Sequence, residues 1–261
     1  MSGFDKRWLD LREAADHAAR DQQLRKHVID HVMAAGEEAL VVDLGAGTGS
    51  TFRALLPEAR HWRWRLIDND PLLLAEARSR HDQPARIECV ETHLSEPAAG
   101  IFSEASLVTA SALFDLVSEN FLARLVTRIE QKGTGLYAAL NYDGVCRWDN
   151  HHPMDEKIVA AFNTHQRQDK GFGPALGPSA APILRALLEK QGFHVAMASS
   201  PWQLSNAHAE LQRQFITGMA TAAAETGLIG EGDVNDWLLV RLEQAENSSC
   251  LVGHWDLFAF R

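Results

Sequence analysis

Two carboxylates bracket a run of alternating glycines, and no other stretch of the chain carries as much chemistry. Val41-Val42-Asp43-Leu44-Gly45-Ala46-Gly47-Thr48-Gly49-Ser50 begins as a short buried strand with an acid inside it. Gly45, Gly47 and Gly49 break that strand, and a helical pattern starts between Thr48 and Phe52. Strand, glycine turn and helix together present backbone N–H groups to a nucleotide-like ligand. Glycine lets the chain bend sharply and approach the ligand without a Cβ in the way. Asp68 closes the next apolar run, roughly 20 residues on, where a ribose-binding acid stands at the end of a second strand. A carboxylate there accepts both ribose hydroxyls. Asp68, Asn69 and Asp70 also make sense as a plain polar turn, with Asp70 before Pro71 capping the helix that follows.

The glycine spacing separates ligand classes. A dinucleotide fingerprint reads G-x-G-x-x-G. In this chain the third glycine comes one residue early, and Ser50 stands where that fingerprint wants glycine. G-x-G-x-G, with an acid two positions before the first glycine, resembles motif I of the class I S-adenosylmethionine-dependent methyltransferases. The resemblance implies that Gly45, Ala46, Gly47 and Gly49 pack against the methionine moiety and sulfonium. It implies Asp43 near the amino group and Asp68, with Asn69, on the ribose. The family often places an acid near the adenine amino group after the third strand; in Glu91-Thr92-His93-Leu94 His93 stands at that place, with Glu91 the alternative contact and a surface histidine in a plain turn the other reading. The motifs cover residues 37–141, and beyond them only the rhythm of the strands agrees.

Methyl transfer asks little of a protein, because the sulfonium is already an activated electrophile. Holding the acceptor in line and excluding water supplies much of the rate. A base is needed only for a protonated acceptor. Acceptors sit beyond the ends of the fourth and fifth strands, at the crevice of an open sheet. Asp115, Asn141 and Tyr142 are the candidates there, and each also reads as a capping or turn residue. The Asn-Pro-Pro-Tyr signature of many nucleic-acid and glutamine amino-methyltransferases is absent, which speaks against a planar exocyclic amine.

Residues 142–178 are polar, aromatic and histidine-containing, and long connections of this kind are often lids. Trp148, Phe162 and Phe172 offer an aromatic wall suited to a cationic amine. His165 stands beside the glycine-rich Lys170-Gly171-Phe172-Gly173 hinge. Trp148 and His165 are therefore the expected acceptor-binding residues. The plainer alternative is a satellite cluster that packs this segment onto the domain. His27 and His31 lie one helical turn apart, a spacing that chelates. No third ligand, Cys-x2-Cys pair, Walker loop or Gly-x-Ser-x-Gly accompanies them, so no metal is expected.

Composition fits an enzyme of one α/β domain. The chain has 261 residues, 46% of them hydrophobic, with a net charge of −10 and three scattered cysteines. An acidic chain without a Lys/Arg cluster is a poor nucleic-acid binder. Odd, scattered cysteines point to a reducing cytoplasm. No run is apolar enough to span a bilayer and no signal peptide is visible. The expected partner is a small-molecule methyl acceptor. Oligomeric state is not legible.

Alternating strands and helices predict a Rossmann-like doubly wound sheet of about seven strands. A helical segment over residues 1–36 precedes it, and residues 142–178 form a lid-like insertion within a single domain, 1–261. Predicted strands cover 39–44, 63–68, 86–91, 106–113, 135–141, 194–198 and 250–260. One long helix is expected over 5–35. By the resemblance, the last strand is antiparallel and inserts between the two before it. Two other functions stay open: an NAD(P)-dependent Rossmann oxidoreductase, which Ser50 disfavours, and a non-catalytic S-adenosylmethionine-binding partner protein.

Overall fold

In the computed structural model, residues 5–81, 86–95 and 100–261 are described. The predicted N-terminal helix is two helices, α1 (Lys6–Ala19) and α2 (Gln22–Ala34). Asp21 breaks the run by accepting a hydrogen bond from Leu24 N–H at 2.7 Å, the geometry of an N-cap. Arg20, beside it, is buried and donates to Ser111 Oγ and to Tyr137 OH.

The α/β body follows in the expected order. It comprises β1 (Leu40–Leu44), α3 (Ser50–Ala54), β2 (Arg63–Asp68), α4 (Pro71–Ser79), β3 (Ile87–Glu91), β4 (Ala105–Ser111), α5 (Glu119–Glu130) and β5 (Gly135–Trp148). Then come α6 (Asp155–His165), α7 (Ala180–Lys190), β6 (His194–Ser199), β7 (Trp202–Leu204), α8 (Ala209–Glu225), α9 (Glu231–Gln244) and β8 (Cys250–Phe260). The sheet order is β3-β2-β1-β4-β5-β8-β6, with the short β7 also on β8. β1 to β5 run parallel, and β8 lies antiparallel between β5 and β6, as expected.

Side-chain alternation explains the layers. Val42 and Leu44 enter a core with α5 and α7, while Val41 enters the opposite core with α2 and Phe52 of α3. A strand buried on both faces is apolar throughout, which is why β1 reads as a continuous run. The acid inside it, Asp43, is the exception.

β5 departs from expectation. It continues seven residues beyond Asn141 to Trp148, pairing Cys146, Arg147 and Trp148 with Val252, Leu251 and Cys250 of β8. The ladder shifts register between Ala138 and Asn141, where Leu140 adopts φ +56°. A buried non-glycine residue in that region is strained and must be held. Asp256 Oδ1 holds it by accepting from Leu140 N–H at 2.8 Å. The extended β5–β8 ribbon, β7, α6, α8 and α9 enclose a third core above the C-terminal edge of the sheet.

Candidate functional site

The three glycines form the turn that their spacing implies. Gly45, Gly47 and Gly49 have φ values of +63°, +53° and +81°. Space is as limiting as backbone shape at the middle position. A Cβ on Gly47 would stand 3.1 Å from Leu9 Cδ1 of α1. Ala46 N–H donates to Ile67 O at 3.0 Å, which ties the turn to β2.

Of the two flanking acids, Asp68 bonds to the turn, while Asp43 is buried in β1 just before it. Asp68 Oδ2 accepts from Gly47 N–H at 2.8 Å, and its Oδ1 accepts from Asp70 N–H at 3.0 Å. Asp70 caps α4 by accepting from Leu72 N–H and Leu73 N–H, so the two acids divide the work. Asp43 is 1% exposed, and Thr109 Oγ1 donates to its Oδ1 at 2.6 Å. Burial pushes its carboxyl up to about 7, against the pull of the Thr109 hydroxyl, the Arg20 cation and the Thr51 hydroxyl. Asn69 and His93 are exposed at the ends of β2 and β3.

Helix α1 covers this turn, which the sequence did not reveal. Glu13 accepts from Arg53 Nε at 2.6 Å and Nη2 at 2.7 Å, and Arg53 Nη1 donates to Thr48 O at 2.7 Å. His17 Nε2 lies 3.0 Å from Ser50 Oγ. Asp10 pairs with Arg80 at the end of α4. The chain signal is present but local patterning cannot decode it: Glu13 and Arg53 are 40 residues apart.

On the β4 side the chain leaves the sheet through Ala112, at φ +50°, and a 3-10 turn over Phe114–Leu116. Asp115 sits in that turn with Oδ1 buried and unpartnered. Burial raises its carboxyl to about 6, with Arg12 of α1 pulling the other way. Leu113, two residues earlier, lies 3.4 Å from the position of a Cβ on Gly45. Leu113, not Asp115, is the residue of this segment that meets the glycine turn.

The other acceptor-side candidates are already engaged. Asn141 donates from Nδ2 to Ala138 O and Trp255 O, bracing the shift in the β5 ladder. Tyr142 donates its hydroxyl to Asn163 Oδ1 at 2.9 Å, and its ring packs on Phe162. Burial raises its phenol far above the ordinary range. Trp148 departs from expectation: it is buried in the third core, edge-on to Trp237 at 5.7 Å and 4.6 Å beneath the Arg241 guanidinium. Six residues of strand past Tyr142, at about 3.3 Å each, carry it away from the turn. His165 departs too, pairing with Glu225 at 2.8 Å and lying 3.3 Å from Lys170 Nζ, so it ties α6 to α8.

The structure adds His254 of β8. It is 5% exposed and its Nδ1 has no partner. Its ring centroid lies 5.2 Å from that of Trp202 and 6.2 Å from that of Tyr142. Burial and the Arg12 cation hold its pKa down to about 3, so the imidazole is neutral. Among the described residues, no group of three or more His, Cys, Asp or Glu side chains is placed to hold a metal ion. No described helix is long and apolar enough to cross a membrane.

Sheet order, antiparallel β8 and glycine turn together define the fold of the class I S-adenosylmethionine-dependent methyltransferases. A SAM-dependent methyltransferase from Geobacter sulfurreducens, solved with S-adenosyl-L-homocysteine, aligns over 99% of both chains at TM-score 0.50 and 15% identity. YcgJ from Bacillus subtilis aligns over 92% of this chain and 99% of its own, at 0.52 and 12%. YjhP from E. coli aligns over 98% and 100%, at 0.52 and 14%. At such identities the likeness is one of fold. No protein-family model matches the chain, and no curated protein matches it in sequence.

Proposed function

We propose that the protein is an S-adenosylmethionine-dependent methyltransferase acting on a small-molecule acceptor. The observation that carries this reading is the buried Asp43 carboxyl, placed immediately before a turn of three left-handed glycines whose far side is held by Asp68. A buried carboxylate served by hydroxyls alone is costly to ionise, and a cationic amino group favours its charged form. Asp68 retains lone pairs for ribose hydroxyls beyond the two N–H groups it already accepts. Asn69 and His93 flank the same end of the sheet and are assigned to the ribose and adenine edges. Bound S-adenosylmethionine supplies an electrophilic methyl group. The chain's own part is to orient it on the glycine turn, to exclude water with α1 and to present the acceptor from the Asp115 side.

The sheet supports this ligand over a dinucleotide. The common dinucleotide order is 3-2-1-4-5-6, whereas here antiparallel β8 separates β5 from β6. The acidic net charge supports a small molecule over nucleic acid, and the three free cysteines support a cytoplasmic setting. The test is incubation with methyl-labelled S-adenosylmethionine and a metabolite extract, following the label by mass spectrometry. Label in a small-molecule product supports the proposal; label retained wholly in the cofactor contradicts turnover.

A further inference from the structure

We propose a second chemical site, outside the residues assigned to the cofactor: Glu225, His165 and Lys170 form a proton relay that makes the Lys170 amine a nucleophile towards acyl thioesters. Two contacts build the relay. His165 Nε2 lies 2.8 Å from Glu225 Oε2, and Lys170 Nζ lies 3.3 Å from His165 Nδ1. The partners fix the hydrogens of the ring. A carboxylate only accepts, so Nε2 carries a hydrogen and donates it to Glu225. An ammonium only donates, so Nδ1 is left as the acceptor of a lysine N–H. Acid, imidazole and nucleophile thus stand in series, with the base oriented by a third group.

Lys170 differs from lysines that carry a carboxylate partner. Lys6 lies 2.9 Å from Glu76 and Lys26 lies 2.6 Å from Asp30, and a carboxylate in contact keeps an ammonium protonated. At Lys170 the carboxylate stands on the far side of an imidazole that accepts the proton. Partial burial also lowers the Lys170 ammonium below the ordinary lysine range, against the pull of Glu225. The backbone on either side is held, so the amine is aimed. Gln168 N–H donates to His165 O at 3.1 Å, and Asp169 Oδ1 accepts from Gly171 N–H at 2.7 Å and Gly173 N–H at 3.1 Å. Phe172 packs edge-on against Phe121 at 5.4 Å. Lys170 itself is only half-buried, so a small reagent reaches it.

The step balances with the thioester as the one co-reactant. His165 Nδ1 takes a proton from the ammonium, and Glu225 stabilises the imidazolium. The freed electron pair on nitrogen attacks the carbonyl carbon. A C–N bond forms, the C–S bond breaks, and sulfur leaves as thiolate with the electron pair. Nitrogen loses a second proton to that thiolate, and His165 returns its proton to solvent. Lys170 ends as a neutral amide.

The experiment incubates the full chain, without cofactor, with S-acetyl-N-acetylcysteamine at mildly alkaline pH. Peptide mass spectrometry follows acetylation at each lysine, and melting curves are run alongside. Lys170 should acetylate on the order of 100-fold faster than Lys6 or Lys26. His165→Gln keeps one donor and one acceptor for its neighbours but takes no proton; Lys170 should fall to the rate of Lys6, with melting temperature unchanged. Glu225→Gln, at an exposed position, should slow Lys170 roughly tenfold. Added imidazole should restore Lys170 in His165→Ala without changing the rate of Lys6 relative to Lys26. Wild-type Lys170 reacting no faster than Lys6 overturns the proposal, as does a wild-type rate at Lys170 in His165→Gln. A slowed Lys170 that comes with a lower melting temperature, and that imidazole fails to restore in His165→Ala, makes the three residues a strut between α6 and α8 and overturns it too.

Discussion

Glu13 and Arg53 are joined by two hydrogen bonds, 2.6 and 2.7 Å long, and this pair fastens α1 across the glycine turn. Both side chains are 18% exposed, so the pair is screened less than a surface ion pair. Glu13→Ala should free α1 while the sheet stays intact. Hydrogen exchange should show faster α1 amides against unchanged amides in β1 and β4. Dissociation of S-adenosylhomocysteine should quicken by roughly tenfold, equivalent to about 1.4 kcal/mol. Unaltered α1 exchange would mean that the latch does not hold the helix.

Asp68→Ala removes a carboxylate that braces Gly47 N–H and Asp70 N–H. Each bond to a charged acceptor contributes about 1.5–3 kcal/mol. Cofactor affinity should drop tenfold or more, with a modest loss of melting temperature from the loosened turn. An unchanged dissociation constant would remove Asp68 from the ribose site.

Asp43 should link cofactor binding to pH. Its folded-state pKa is raised from 3.8 to about 7, so the folded protein binds more protons than the unfolded chain across that window. This carboxyl's contribution to stability therefore falls as pH rises from about 4 to about 7. A cationic amino group at Oδ2 favours the ionised form. Affinity should rise with pH up to about 7, and binding at pH 6 should release a proton. Calorimetry in two buffers of different ionisation heat measures that release, and Asp43→Asn should abolish it.

The third core tests independence of fold and site. Asp155 accepts from Trp237 Nε1, from Arg241 Nε and, in a short bond, from Arg241 Nη2. Arg241 is fully buried, so Asp155→Ala leaves an uncompensated cation, at about 3–5 kcal/mol. Melting temperature should fall by roughly 2–4 °C per kcal/mol in a chain of this size. Cofactor affinity, measured well below the transition, should not change. A parallel loss of affinity would show that the third core shapes the cofactor site.

What the sequence made legible was local. Strand, glycine turn and acid lie within a few dozen residues, and turn chemistry fixes their shape. The β5 extension was not legible, because Gly144 and polar Asp143 mimic a loop; the pairing of Cys146 with Val252 keeps the strand going. Trp148 read as an acceptor wall because its partners, Trp237 and Arg241, lie about 90 residues downstream. The cover by α1 depends on Glu13 meeting Arg53, and no periodicity encodes that. His254 sits in an ordinary buried strand, and only the packed structure shows that its Nδ1 is unpaired.

The central claim is that the turn from Gly45 to Gly49 holds S-adenosylmethionine. The most direct measurement is calorimetric titration of the wild-type chain with S-adenosylhomocysteine and, separately, with NADH, each repeated on Gly47→Val with circular dichroism to verify folding. A valine at Gly47 would drive a branched side chain against Leu9 at a left-handed φ. The account predicts saturable binding of S-adenosylhomocysteine to wild type, none to folded Gly47→Val, and no binding of NADH. Binding of NADH alone, or equal binding of S-adenosylhomocysteine by the variant, would contradict it.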